Sequence, residues 1–235
     1  MVEPIRTAVV IPAFNAAAAI HDIAERSKSL VDEVIVVDDG STDKTFQEAC
    51  SAEAIVVRHE RNRGKGAAIA TGLSEAARLG ARVVVTLDAD GQHDPAFIPA
   101  LLGEFERGPR AIVLGSRKNM DDPAVPRSSR RGLAISNFWV KVETGLTLCD
   151  TQTGMRAYPL PEVLSLACRS RRFGWEIEML VRAAWAGIPI REVDIDARYD
   201  QGQGPSRRFR PFRDNFLISL THARLVTMRW LGLGR

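Results

Sequence analysis

VVVTLDADGQHDP, residues 83–95, opens as an apolar run and closes on two carboxylates one residue apart, Asp88 and Asp90. Such a continuous β-branched run reads as a strand covered on both faces. Two anions at its end repel each other and gain nothing from packing, so a cation is expected to hold them. Alternate residues at a strand end face the same way, which lets both carboxylates reach one ion. Mg²⁺ or Mn²⁺ is the expected ion, because both take hard oxygen ligands and keep open positions for water and phosphate. Gln92 supplies a third oxygen to this set of Asp88, Asp90 and Gln92. Asp94 has a different task, capping a helix ahead of Pro95.

Working outward, the same kind of apolar run recurs at 8–14 (AVVIPAF), 34–39 (VIVVDD) and 111–116 (AIVLGS), and more weakly at 54–59 (AIVVRH). Helical patterns lie between them, at 16–30, 42–52, 66–79 and 95–107. Strand–helix alternation with short connections predicts an α/β doubly wound, mostly parallel sheet flanked by helices. Asn15, Asp38, Asp39, Asp88, Asp90, Ser116 and Arg117 all fall at the carboxyl ends of these strands, where an open α/β sheet has its ligand crevice. After residue 118 come a proline-containing loop (120–131), a helix (132–146), a loop through DTQTGMR (150–156), a helix (175–187) and a strand (188–195). A basic loop (201–211) and a C-terminal amphipathic helix follow.

The 235 residues are 45% hydrophobic and 26% charged, the composition of an ordinary globular protein. A net charge of +3 argues against a dedicated nucleic-acid binder. The charge is uneven: residues 201–235 carry seven arginines against one acid, Asp214, which points to an anionic partner at that end. Cys50, Cys149 and Cys168 form no paired spacing, so neither a disulfide framework nor a zinc site is expected, and a reducing cytoplasm fits. The N-terminal apolar run is too short for a signal peptide, and no stretch reaches the roughly 18 apolar residues of a membrane span. Oligomeric state is not legible.

Two further motifs bear on chemistry. In VVDDGSTDKT (36–45) the Ser/Thr/Asp cluster is explained by helix capping, but the paired aspartates before Gly40 are not; a carboxylate there can accept from a base or ribose. In RNRGKGAAIATG (61–72), Lys65 between two glycines at a helix start can attract phosphate together with the backbone amides. GxxxxGK[ST] and GxGxxG are both absent, which excludes a P-loop ATPase and counts against a dinucleotide-binding dehydrogenase.

VVIPAFNAAAAI, VIVVDDGSTDKT, GKGAAI, LDADGQHDP, GSR and DTQTGMR, in this order, resemble the family-2 glycosyltransferases of the GT-A fold, and more closely the dolichyl- or polyprenyl-phosphate mannose and glucose synthase group. The resemblance covers roughly residues 5–200 and implies one GT-A catalytic domain over 1–200, with a nucleotide-sugar half (1–118) and an acceptor half (119–200). It implies that Pro12, Ala13 and Asn15 line the nucleotide pocket with Asp39, Lys65, Asp88, Ala89 and Asp90. It also implies that Asp90 and Gln92 hold the metal on the diphosphate, and that Arg117 faces the donor and acceptor phosphates. The implied reaction is inverting transfer of a hexose from a GDP-mannose or UDP-glucose type donor to a lipid phosphate.

A phosphate acceptor needs cations to place it, and Arg117, Arg130 and Arg131 suit that role; Arg127 competes with them. A hydroxyl acceptor needs a general base instead. Asp150 ranks first for that role and Glu176 second. Glu176 and Glu178, two apart on a helix, cannot share a face, so one is expected at the surface. His93 is read as packing beside the metal loop, and His222 has no visible partner. Transfer to a hydroxyl of a lipid, pigment or glycan is the alternative, and a nucleotidyltransferase the more distant one. A chain that meets a lipid without a span is expected to be peripheral, on the cytoplasmic face of an anionic membrane. Its C-terminal helix then docks with one apolar arc, which includes Phe216, Leu217, Leu220, Met228, Trp230 and Leu231, and SNFWVKV (136–142) forms a second docking surface.

Overall fold

The computed structural model describes residues 5–197, except 109, 124 and 171, together with 211–233; the side chains of 121 and 211–215 also lie outside the description. The basic loop with Arg207, Arg208 and Arg210 therefore falls outside the described residues, as do the side chains of Phe212 and Arg213.

The strands are β1 (Thr7–Ala13), β2 (Glu33–Asp38), β3 (Ile55–Arg58), β4 (Val83–Thr86), β5 (Ile112–Arg117), β6 (Arg156–Pro159) and β7 (Ile190–Ile195). The helices are α1 (Ile20–Lys28), α2 (Thr45–Ser51), α3 (Lys65–Arg78), α4 (Ile98–Glu106), α5 (Arg127–Thr144), α6 (Gly174–Trp185) and α7 (Pro211–Trp230). One seven-stranded sheet runs β3-β2-β1-β4-β6-β5-β7, parallel except for β6, which pairs antiparallel with both β4 and β5. The expected mostly parallel α/β sheet is thus present.

Pleating explains why the central strands are apolar throughout. Val10, Ile35, Val37 and Val84 point to the layer built by α3, α5, α6 and α7, while Val9, Ile11, Val36 and Val85 point to the layer built by α1, α2 and α4.

Three elements differ from expectation. β6 was not foreseen: it is four residues long, carries Arg156 and closes on Pro159, so neither alternation nor an apolar run marks it. α5 starts at Arg127 rather than near 132, with Pro126 immediately before its first turn, and this turns Arg127, Arg130 and Arg131 from loop residues into helix residues. β4 ends at Thr86, where its ladders with β1 and β6 both stop, so Asp88 and Asp90 stand on the turn beyond the strand and not on its pleat.

Candidate active site

At the carboxyl end of β1, Ala13 lies in register with Asp38 of β2, and the Asp39 amide donates to the Ala13 carbonyl at 2.8 Å. Pro12 and Ala13 are buried at this edge. Asn15 adopts a left-handed backbone (φ 50°), its amide donates to Ser41 Oγ at 2.9 Å, and its Oδ1 accepts from the Thr42 amide at 2.9 Å. The loops after β1 and β2 are therefore tied together. Asp39 is buried and accepts from His59 Nδ1 (2.7 Å) and the amides of Arg63 (2.9 Å) and Gly64 (2.7 Å). Charge-assisted bonds of this kind are among the stronger ones, so Asp39 anchors the segment that leads into α3.

Lys65, in the first turn of α3, bridges two carboxylates: Asp88 Oδ1 at 2.7 Å and Glu176 Oε2 at 3.0 Å. Burial opposes its charge, but the two carboxylates outweigh that and its pKa is raised, so Lys65 stays an ammonium at any physiological pH. Two glycines let the motifs meet. A Cβ on Gly66 would stand 2.3 Å from Trp175 Cβ of α6, and one on Gly154 would stand 2.1 Å from Asp88 Oδ2. The glycine of DTQTG thus presses against the first carboxylate of DAD, and Thr86 Oγ1 donates to the Gly154 carbonyl at 3.0 Å.

Asp88, Ala89, Asp90 and Gln92 lie on the turn that carries Gly91 at φ 76°; Asp90 Oδ1 accepts from the Gln92 amide at 3.0 Å. Among the described residues no three His, Cys, Asp or Glu side chains gather into a closed metal cage. Two partly exposed carboxylates and an amide oxygen on an open turn do fit a hard cation that completes its shell with water and phosphate, which is how Mg²⁺ is usually held. His93 follows this turn, buried, bridged to Ala197 and with Nδ1 unpartnered; burial pushes its pKa down to about 4. Its neutral imidazole packs beside the turn, as expected. Asp94 accepts from the Ala96 amide at 3.0 Å and caps the single turn at Pro95–Phe97.

Arg117 ends β5 and grips Asp150 as a two-pronged fork, Nε to Oδ2 at 2.5 Å and a terminal nitrogen to Oδ1 at 2.9 Å. Asp150 is buried and also accepts from the Gln152 amide at 3.1 Å. Beneath it, Glu192 of β7 accepts from Ser116 Oγ (2.5 Å) and from the amides of Cys149 (2.9 Å) and Asp150 (3.1 Å), which fixes the loop. Arg130 donates to the Val125 carbonyl at 3.1 Å, and Arg131 is exposed on the same end of α5. Ser136 and Asn137 tie α5 to Thr151 and to the Cys149 carbonyl, at 2.7 and 2.8 Å. Arg117 and α5 are thereby both tied to the 149–152 loop.

Several residues read otherwise in the sequence. Glu176 and Glu178 are both buried, because α6 is covered on two sides: Glu176 meets Lys65, while Glu178 meets Arg182 (2.7 Å) and Arg224 of α7 (2.5 Å). His222 does have a partner, Glu143 Oε1 at 2.8 Å across the α5–α7 contact. Arg156, marked in the sequence only as the last residue of DTQTGMR, is fully buried and donates to the carbonyls of Thr153, Glu176 and Thr151 at 2.8–2.9 Å, which ties the DTQTG loop to α6. Only its place in β6 explains a buried arginine, so no local signal could have found it.

The family described as Glycosyl transferase family 2 matches residues 8–159. The UDP-N-acetylglucosamine–dolichyl-phosphate N-acetylglucosaminyltransferase of Methanococcus voltae is 31% identical over 82% of this chain and 86% of its own length. The undecaprenyl-phosphate mannosyltransferase of Micrococcus luteus is 29% identical over 97% of both chains. Among solved structures, glucosyl-3-phosphoglycerate synthase from Mycobacterium tuberculosis in complex with uridine diphosphate is 26% identical, with a TM-score of 0.73 over 94% of this chain and 80% of that one.

Proposed function

Because the chain belongs to glycosyl transferase family 2, we propose that it transfers a hexose with inversion from a nucleoside-diphosphate sugar to a lipid phosphate of the polyprenyl or dolichyl class. Family membership sets the nucleotidyltransferase alternative aside. The observation that carries the acceptor is the Arg117–Asp150 fork. Asp150 ranked first as general base, yet both its oxygens are engaged by Arg117. Glu176 pairs with Lys65 through Oε2, and its Oε1 is buried away from solvent. A hydroxyl acceptor would lack its base. A phosphate monoester, with a second pKa near ~6, is already ionised at neutral pH and needs only cations to place it. The names of the Methanococcus and Micrococcus relatives, both transferases to lipid phosphates, point the same way.

In this reading Pro12, Ala13, Asn15 and Asp39 shape the nucleoside end, and Asp88, Ala89, Asp90 and Gln92 present the donor diphosphate with Mg²⁺ or Mn²⁺. The bound ion supplies Lewis-acid neutralisation of the leaving diphosphate. Lys65, held protonated by Asp88 and Glu176, adds a fixed positive charge beside it. Arg117, oriented by Asp150, faces the phosphates, and Arg130 and Arg131 receive the acceptor phosphate. An acceptor oxygen forms the new bond to the anomeric carbon while the nucleoside diphosphate leaves with the bonding pair. The enzyme works peripherally, on the cytoplasmic face of the membrane.

The test is transfer from radiolabelled UDP- and GDP-sugars to polyprenyl phosphate, followed by mild acid. A sugar phosphodiester releases its label, so acid-labile lipid product that disappears on chelation is the expected result. Label that survives acid identifies a plain glycoside and overturns the phosphate acceptor.

A further inference from the structure

α7 buries two polar residues and leaves large apolar side chains exposed. Its polar residues Thr221 and His222 are buried against α5 and α6, together with Leu225, whereas Phe216 and Leu220 point outward. Between the helices, Glu143 Oε2 and His222 Nε2 are enclosed without a hydrogen-bond partner. α5 repeats the pattern beside it. Ile135, Phe138, Trp139 and Val142 follow helical spacing on its outer face, and Trp139 stacks on His222 with ring centroids 6.4 Å apart. Ile135, Phe138, Phe216 and Leu220 are each 50–63% exposed. Two packed helices thus expose Ile135, Phe138, Phe216 and Leu220 while Glu143, Thr221 and His222 are enclosed, more apolar surface than a water-facing pair needs to show.

Charge decides what covers that face. Apart from buried Glu143, every charge on α5 is cationic: Arg127, Arg130, Arg131 and Lys141. A second copy of the same face would bring these cations together, whereas an anionic lipid surface neutralises them. The position agrees, since α5 is tied by Ser136 and Asn137 to the loop that carries Asp150. Among the described residues no helix is long and apolar enough to cross a membrane, so contact through this face would be interfacial.

We propose that the outer face of α5 and α7, centred on Ile135, Phe138 and Leu220, docks on an anionic membrane surface and so holds the start of α5 at lipid-headgroup level. The inference rests on the lipid-acceptor reading for its purpose but not for its test. Full-length protein is sedimented with vesicles of phosphatidylcholine containing about one third phosphatidylglycerol, beside pure phosphatidylcholine. The parent protein pellets with the anionic vesicles, and Ile135→Glu/Phe138→Glu/Leu220→Glu lowers the bound fraction about tenfold or more. Melting curves by circular dichroism check the fold; if the triple variant melts early, Phe138→Glu and Leu220→Glu are read singly. A parent that stays in the supernatant overturns the proposal, and so do variants that pellet equally well. A parent that is a dimer split by these substitutions assigns the face to a second copy and overturns it too. Transfer to a short water-soluble prenyl phosphate should survive in the variants. Its absence from the parent would count against the proposed reaction and leave the sedimentation result standing.

Discussion

Arg117 illustrates how much rests on single side-chain geometry. Its guanidinium meets Asp150 through two nitrogens at once, an arrangement that a lysine's point charge cannot reproduce. Arg117→Lys keeps the charge and loses the fork. We expect kcat/KM for transfer to fall by about 10²-fold, on the scale of removing one preorganised donor to developing charge. The melting temperature should move little, since the lysine can still pair with Asp150. Full activity in the lysine variant would make Arg117 a structural ion pair. The sequence marked this arginine by its place at a strand end, but named Asp150 as a base. Only the fold brings the two together across a gap of 33 residues.

At the scale of elements, the site is a set of short segments pressed against each other with no room to spare. Gly154 lies 66 residues from Asp88 in sequence, yet leaves no space for a methyl group beside it. Gly154→Ala should push the Asp88 carboxylate out of place and break its alignment with Lys65. A displacement of about 1 Å at such a site costs about 10²-fold in turnover. Overpacking adds about 1–3 kcal/mol of destabilisation, visible as a lower urea midpoint. Gly103→Ala is the control, because nothing lies within 4 Å of its Cβ position, and it should leave turnover unchanged. Equal turnover in both variants would remove the DTQTG loop from the site.

At the scale of the whole molecule, α7 is held to the catalytic body by a buried carboxylate. Glu178 accepts from Arg182, from Arg224 and from the amides of Arg169 (3.0 Å) and Ser170 (2.6 Å). Burial works against its charge, but these donors outweigh burial and its pKa lies below the ordinary value of 4.5. A depressed carboxylate stabilises the fold above its unfolded pKa, and that stability is lost as pH falls through the folded value. Glu178→Ala should therefore cost about 3–5 kcal/mol at pH 7, the usual price of breaking a buried pair. The gap from the parent protein should narrow as pH drops below 4.5, in urea titrations at a series of pH values. A gap that stays constant down the series would show that Glu178 acts by packing and not by charge.

The sequence by itself determined the parts with local causes. Apolar runs of strand length specify β1, β2 and β4, and the aspartates and glycines after β2 and β4 specify their motif turns, because burial on both faces and tight turns leave few other residue choices. The helical spacing of α7 likewise marked Phe216, Leu220 and Trp230, which the structure leaves exposed, although Leu217 and Met228 of the same arc are half-buried. Tertiary structure alone decided whatever depends on contacts between distant segments. It made β6 a strand, since four residues with an arginine acquire strand geometry only from β4 and β5 on either side. It buried Glu176, Glu178 and His222, whose partners lie 111, 46 and 79 residues away in Lys65, Arg224 and Glu143. It moved Asp88 and Asp90 off the pleat and placed Lys65 between two carboxylates. An ion pair satisfies a buried charge whatever the sequence separation of its partners, so no local pattern can reveal which residue will provide it.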